Sequence, residues 1–207
     1  MITVEHKVSF EEITSHLMED EKPSNYINEI ARTDIFNEYP FHMLQKLKTT
    51  EQSKKYHPEG SVWNHTMLVL DEAAKVRTRS KEPKEFMWAA LLHDIGKPAT
   101  TRIRKEKITS YDHDTVGERL CREFLKELGA EEEFIRKVSA LVRYHMHILY
   151  LLKGLPYADR SGLAKNVDAE DIALLCKCDR LGRTGADVLE EEAQYREFLR
   201  RIKQIKH

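Results

Sequence analysis

The chain has 207 residues, of which 34 are Lys or Arg and 35 are Asp or Glu, and this length suits a single domain with at most a short appendage. The net charge is −1, so the overall charge gives no sign of a nucleic-acid-binding surface. The longest apolar run is too short to cross a membrane, and the first residues lack the basic-then-apolar order of a secretion signal. We therefore expect no membrane contact and a cytoplasmic location.

Apolar residues recur at helical spacing along most of the chain, which predicts an all-α fold. Helices are expected near Phe10, after Pro23, through His65, from Pro83, after His113, after Glu131, from Asp168 and around Tyr195. The stretches Thr100–Ile103 and Ile108–Tyr111 favour at most one short β-hairpin. We divide the single domain into a helical lead-in (about 1–55), a core (about 56–185) and a C-terminal helix (about 186–207).

The three cysteines, Cys121, Cys176 and Cys178, are an odd number. Cys176 and Cys178 are two apart on a predicted helix and so face away from one another, which argues against a disulfide or a shared metal. We interpret all three as reduced thiols that pack as small apolar residues, as in a cytosolic protein.

The most informative feature is the adjacent pair His93-Asp94, which closes the apolar run Phe86-Met-Trp-Ala-Ala-Leu-Leu92. Imidazole nitrogen and carboxylate oxygen are both good ligands for divalent metals, so a bound cation would explain two polar groups at the end of a buried segment. Neighbouring residues on a helix point in different directions. Any remaining ligands must therefore come from other helices.

Four further polar residues fall on or beside apolar helix faces: His65, His113, His145 and Asp179. A carboxylate that faces a core is disfavoured unless it is paired, protonated or bound to a metal. The same periodicity places His147 on the wetter side of its helix. Asp94 and His93 bring the number of candidate ligands to six.

Each candidate also has a simpler structural interpretation. His113 or His145 taken alone fits a core histidine that is bonded to a backbone carbonyl, and Asp179 fits a buried salt bridge to Arg180 or Arg183. The His-Asp pair fits a helix C-terminus, where imidazolium suits the negative end of the helix dipole. Taken together, the six residues favour a metal site.

The order His65, His93-Asp94, Asp179 resembles the His…His-Asp…Asp pattern that names the HD-domain metal-dependent phosphohydrolases. Over about residues 57–184 the chain looks like the HD domain of bacterial CCA-adding tRNA nucleotidyltransferases. The stretches that carry this likeness are His57-Pro-Glu-Gly-Ser-Val-Trp-Asn-His65-Thr, His93-Asp-Ile-Gly-Lys97-Pro, His113-x-x-x-Gly117 and Cys178-Asp-Arg-Leu-Gly-Arg183. One departure is Asp114, where that subgroup is expected to carry glutamate.

The resemblance implies an HD-type helical bundle that hydrolyses a phosphoester or phosphoanhydride on a small phosphorylated substrate, in particular a nucleotide. Phosphatase, nucleotidase and 2′,3′-cyclic phosphodiesterase activities all fit, and RNA is a further candidate partner. CCA addition itself is not expected, because no Gly-Ser motif followed by paired strand-borne aspartates occurs. A metal-containing module that senses nucleotides or binds RNA ends without turnover is the alternative function, and a closed structural metal site is a third.

The cofactor is expected to be one or two divalent ions, with Mn, Fe, Ni, Co, Zn and Mg not distinguished. His65, His93, Asp94 and Asp179 suffice for one ion. If Asp94 bridges two ions, His113 and His145 complete a second metal site. Otherwise those histidines hold phosphate or donate a proton. Asp94 and Lys97 are the candidate catalytic residues, and Lys97 and Arg183 are candidate substrate contacts whose alternative is solvated surface charge. His57 and Glu59 receive no definite role, although either suits support of a metal ligand.

Overall fold

The computed structural model describes residues 8–105 and 107–205, and within them the fold is helical with one two-stranded hairpin, as the sequence predicts. The helices of the N-terminal half are α1 (Phe10–Glu19), α2 (Pro23–Ile30), α3 (His42–Gln45), α4 (Val62–Val76), α5 (Pro83–Leu92) and α6 (Lys97–Thr100). Those that follow are α7 (His113–Glu127), α8 (Glu132–Tyr144), α9 (His147–Leu152), α10 (Arg160–Asn166), α11 (Ala169–Leu181) and α12 (Val188–Ile205). Short 3-10 turns occupy Asp34–Asn37, Lys46–Thr49 and Arg77–Arg79.

Local sequence signals account for several helix ends. The Ser61 hydroxyl accepts a hydrogen bond from the backbone of Asn64 at the start of α4, and Asp168 accepts from two backbone N–H groups at the start of α11. Gly129 follows α7 with φ +80, a conformation that favours glycine at a helix C-terminus. Helix α5 begins at Pro83, a favourable first position for proline. The predicted helix starts at Pro83 and Asp168 are confirmed.

The hairpin pairs β1 (Arg102–Arg104) with β2 (Lys107–Thr109) in antiparallel register, with Ile103 opposite Ile108. The prediction that the first strand begins at Thr100 was wrong by two residues. Pro98 falls in the first turn of α6, a favourable place for proline, so Thr100 still belongs to that helix. Glu106, part of the predicted turn, lies outside the described residues.

The core is built around α4 and α5, whose buried apolar residues belong to one hydrophobic cluster that runs from Val8 to Ile202. Helix α4 packs against α5 and α11, and α7 pairs with α8. The three cysteines are buried and free, and burial raises the pKa of the Cys178 thiol to about 12, which suits inert packing residues. The division into lead-in, core and C-terminal helix stays a prediction. Among the residues that the structure covers, no helix is long and apolar enough to cross a bilayer.

Two glycines allow the backbone segments that carry polar residues to approach closely. A Cβ on Gly96 would lie 2.1 Å from the His113 carbonyl oxygen and 2.6 Å from the Gly117 nitrogen. A Cβ on Gly182 would lie 2.9 Å from the Val69 nitrogen. The first contact sets the turn after α5 against the start of α7, and the second sets α11 against α4. Any larger residue at either glycine would push these segments apart.

Gly96→Ala is expected to destabilise the protein by about 1–3 kcal/mol, because the added methyl meets backbone atoms that cannot rotate away. The φ of Gly96 is −79, which alanine adopts freely, so the effect isolates packing from backbone strain. Urea unfolding of the variant measures the loss.

Gly117→Ala is the matched control, since its Cβ would meet the movable Val142 side chain at 3.2 Å. A loss of stability in Gly117→Ala equal to that in Gly96→Ala would contradict the packing argument.

Candidate metal centre

The six predicted ligands come from five separate segments of the chain and meet in one buried place. They are His65 within α4, His93 and Asp94 in the turn after α5, His113 at the start of α7, His145 just after α8, and Asp179 near the end of α11. Their relative exposures range from 0% to 6%, so all six side chains are buried, as the sequence predicts for polar residues on or beside apolar helix faces. Two sets of ligand atoms result, and each is close enough to hold an ion.

The first set contains His65, His93 and Asp179, whose ligand atoms lie within 4.8 Å of one another. His65 Nε2 is 2.9 Å from Asp179 Oδ1. Asp94 borders this set, because its Oδ2 is 3.3 Å from His93 Nε2 and 4.0 Å from His65 Nε2.

The second set contains Asp94, His113 and His145. The other carboxylate oxygen of Asp94, Oδ1, is 3.5 Å from His113 Nε2 and 3.9 Å from His145 Nε2. The two imidazole Nε2 atoms are 3.2 Å apart. Asp94 thus presents one oxygen to each set.

Three of the histidines are oriented by the same kind of hydrogen bond to a backbone carbonyl. Nδ1 of His93, His113 and His145 lies 2.9, 2.7 and 2.6 Å from the carbonyl oxygen three residues earlier in the chain. A carbonyl oxygen only accepts hydrogen bonds, so each Nδ1 must carry the proton and donate it. In the neutral rings, Nε2 therefore presents a lone pair toward the cluster, which is the form that binds metals.

Several buried acceptor atoms then lie close to one another, with the Lys97 ammonium as the nearby cation. Among the described residues, His93 Nε2 and both Asp94 carboxylate oxygens make no hydrogen bond. Lys97 Nζ lies 2.7 Å from Asp94 Oδ2 as an ion pair, although without hydrogen-bond geometry. Unpaired buried acceptors are costly, and divalent cations are well suited to satisfy several at once. The donor set therefore fits a metal ion.

Charge keeps the two aspartates ionised in spite of their burial. Burial alone would raise the pKa of Asp94, but the Lys97 ammonium, 2.7 Å from Oδ2, holds it well below its ordinary value. The pKa of Asp179 is likewise raised by burial and lowered more strongly by Arg183 and His65, so that it also lies well below the usual range. Both carboxylates are thus anionic acceptors at neutral pH.

The two histidines of the second set are held neutral. Burial and the neighbouring imidazoles of His113 and His93 lower the pKa of His145 to about 4. Burial also lowers the pKa of His113, with Asp94 opposing the change. Neutral imidazoles are the metal-binding form, so these two side chains need lose no proton to act as ligands.

Glu59 lies behind His65 and supports it, a role that could not be assigned from the sequence. Its Oε1 lies 2.9 Å from Nδ1 of His65 and 2.9 Å from Nδ1 of His57. Burial alone would raise the pKa of Glu59. The hydrogen bonds from the two histidines outweigh this effect and lower the pKa to about 2. A carboxylate behind an imidazole fixes the ring and leaves Nε2 to face the cluster. The sequence signal was the short spacing His57-x-Glu59.

Lys97 and the two arginines near Asp179 are placed differently from one another. Lys97 is buried and donates to Gln52 Oε1 at 2.7 Å, so it is not a solvated surface charge. Arg183 Nη2 lies 3.8 Å from Asp179 Oδ2, whereas Arg180 pairs with Glu191 on α12. The alternative prediction of a salt bridge between Asp179 and Arg180 is therefore wrong.

A cavity of about 740 Å³ opens over the cluster. Asp94, His113, His145 and Asp179 line it, together with Lys97, Arg183 and His57. Arg143, which sequence analysis did not single out, also lines the cavity and donates to Asp114 Oδ2 at 2.6 Å. The loop that begins with Gly154-Leu-Pro156 contributes Leu155 and Tyr157 to the wall.

The prediction for His147 was wrong. The side chain is fully buried, and its Nε2 accepts a hydrogen bond from the Asp159 backbone at 3.2 Å. It starts a new helix, α9, after a break at His145, so the periodicity of α8 does not extend to it.

Comparison with known proteins matches residues 62–183 to the family model described as HD domain. The Multifunctional CCA protein of Verminephrobacter eiseniae (strain EF01-2) is 30% identical over 172 residues, which cover 80% of this chain and 40% of that protein. The Multifunctional CCA protein of Pasteurella multocida (strain Pm70) is 31% identical over 171 residues, 77% of this chain and 39% of that protein. That of Hahella chejuensis (strain KCTC 2396) is 30% identical over 162 residues, 75% of this chain and 36% of its own. The match thus spans well under half the length of these relatives.

Metal analysis of protein purified without chelator is expected to give close to two equivalents of divalent ion, because the ligand atoms form two sets that share Asp94. His113→Ala is expected to retain one equivalent, since it removes a ligand from the second set alone. Elemental analysis measures both proteins.

One equivalent in both proteins would eliminate the second site and leave His113 and His145 as phosphate-binding or proton-donating groups. His42→Ala, a histidine on α3 outside both sets, is the control and should keep the wild-type content.

Proposed function

The chain belongs to the HD-domain family, whose members are generally metal-dependent phosphohydrolases, and we propose that it hydrolyses a phosphoester or phosphoanhydride of a nucleotide. The single observation that carries the proposal is the convergence of buried acceptor atoms that make no hydrogen bond, beside a cavity that Asp94 lines. Such an arrangement offers both a place for cations and open space beside them for a substrate.

The residues that would hold the ions are the two sets described above. His65, His93 and Asp179 would hold one ion, His113 and His145 the other, and Asp94 would serve both. When bound, divalent ions activate water near neutral pH and neutralise charge on phosphoryl oxygens. Glu59 and the three backbone carbonyls keep the imidazoles in the orientation that ligation needs.

Cationic side chains that line the cavity would bind the substrate phosphate and stabilise its charge. Lys97 is held in place by Gln52 and Asp94, so that its ammonium is oriented before a substrate arrives. Arg183 and Arg143 are anchored by Asp179 and Asp114 in the same way. Fixed positive groups favour the charge that accumulates on a phosphoryl group in the transition state. We assign Lys97 and Arg183 to contacts with the substrate phosphate.

The alternative is a module that senses nucleotides or binds RNA ends without turnover. The cavity argues for catalysis, because residues of both ligand sets are open to it together with three cationic side chains. A structural site closed by protein ligands is disfavoured for the same reason. RNA as the carrier of the hydrolysed group stays a proposal that the likeness to CCA proteins supports.

Asp94→Ala is expected to abolish hydrolysis and to lower the metal content, because it removes a ligand of both sets together with its negative charge. Turnover of a generic phosphatase substrate with added Mn²⁺ and metal analysis measure the two effects.

Asp34→Ala serves as the control, because Asp34 is exposed, belongs to neither ligand set and does not line the cavity. Near-normal turnover in a folded Asp94→Ala protein would exclude the metal-hydrolase function.

Lys97→Ala is expected to retain the metal but to lower kcat/KM for phosphorylated substrates by about 10²-fold, a typical loss for one preorganised electrostatic group. Steady-state kinetics and metal analysis on the same preparation separate the two effects.

Lys84→Ala, which changes an exposed lysine of α5, should behave as the wild type. Unchanged kinetics in Lys97→Ala would show that the buried ammonium only balances Asp94.

A further inference from the structure

Part of the cavity wall is aromatic and apolar, in contrast to the charged residues around the metal ligands. Tyr150 and Tyr157 line it, as do the apolar side chains of Ile108, Met146 and Leu149. We call Tyr150 and Tyr157 the aromatic pair. The charged residues account for recognition of a phosphoryl group, but they offer no explanation for this part of the wall.

The aromatic pair ends a row of rings that begins in the protein interior. Tyr144 and His147 are 4.8 Å apart between ring centroids, His147 and Tyr150 are 5.3 Å apart, and Tyr150 and Tyr157 are 5.8 Å apart. His147 is fully buried and Tyr150 is partly buried, so the inner rings fix the position of Tyr150. Tyr157 retains 68% exposure, which leaves its ring available to a ligand.

The cavity is also much larger than a phosphate group alone would need. A volume of about 740 Å³ lies within the range, roughly 300–1,000 Å³, of pockets that enclose a whole organic ligand. A phosphoryl group at the metal centre would fill a small part of that space. The lining beyond the metal ligands includes Tyr150 and Tyr157, and tyrosine rings stack well on planar rings.

We propose that the aromatic pair forms a subsite for the nucleobase of the substrate, so that base and phosphate are recognised by separate parts of the cavity. This inference rests on the proposed function and assigns the part of the site that selects among phosphate esters. Tyr150 and Tyr157 are specificity-determining residues here. They have no part in the chemistry at the metal centre.

The test compares two phosphate esters, adenosine 3′-monophosphate and glycerol phosphate, on the full chain loaded with Mn²⁺. In Tyr150→Ala and Tyr157→Ala, the KM for the nucleotide is expected to rise by about 10- to 100-fold, the usual effect of losing one stacking partner. The kcat should stay within about twofold, and the KM for glycerol phosphate should not change. Tyr150→Phe and Tyr157→Phe keep the ring and should behave as the wild type.

Tyr157→Ala is the decisive variant, because its exposed side chain adds little to the core, whereas Tyr150→Ala also uncovers His147. Leu189→Ala removes an exposed apolar side chain of α12 that does not line the cavity and serves as the control. Equal changes in KM for the two esters, or no change for either, would overturn the subsite.

A binding measurement separates failure of the subsite from failure of the proposed hydrolysis. Adenosine, which has no phosphate, is titrated against wild type and Tyr157→Ala by calorimetry. Weaker binding to the variant supports the subsite even if the wild type hydrolyses neither ester. Equal affinity, or no binding to the wild type, overturns it whether or not the esters are hydrolysed.

Discussion

The buried carboxylate of Asp94 is the group on which the rest of the site depends. It offers one oxygen to each set of ligand atoms and lies 2.7 Å from the Lys97 ammonium. A buried anion with no hydrogen bond is expensive, so the surrounding charge must compensate for lost hydration. The close approach at Gly96 is part of the same arrangement, because it brings the start of α7, and with it His113, up to the turn that carries Asp94.

The sequence predicted the candidate ligands better than it predicted their support. His65, His113, His145 and Asp179 could be found because a polar residue on an apolar helix face conflicts with the periodicity around it. Gln52, Glu59 and Arg143 conflict with no such periodicity. The first two lie in an irregular segment without periodicity, and Arg143 is polar on a helix face where polar residues are normal. Their importance arises from contacts between distant segments, which a single sequence does not display.

The simpler interpretation of the histidines and the metal interpretation are both compatible with the structure. His113 and His145 are bonded to backbone carbonyls, as isolated core histidines usually are. That bond occupies Nδ1 and leaves Nε2 directed toward Asp94. The two interpretations therefore concern different atoms of the same ring. The helix boundaries were also predictable where caps and glycines mark them, whereas the break at His145 was not, and this explains the error at His147.

The candidate ligands come from segments far apart in the sequence, and His65 and Asp179 are separated by 114 residues. An ion held between them would act as a cross-link that closes a long loop of the chain. Cross-links of this kind lower the entropy of the unfolded ensemble, and an ion that binds only the folded form stabilises it by mass action. The thermal stability of this protein would then depend on the concentration of free divalent metal around it, so metal supply would control its lifetime as well as its chemistry.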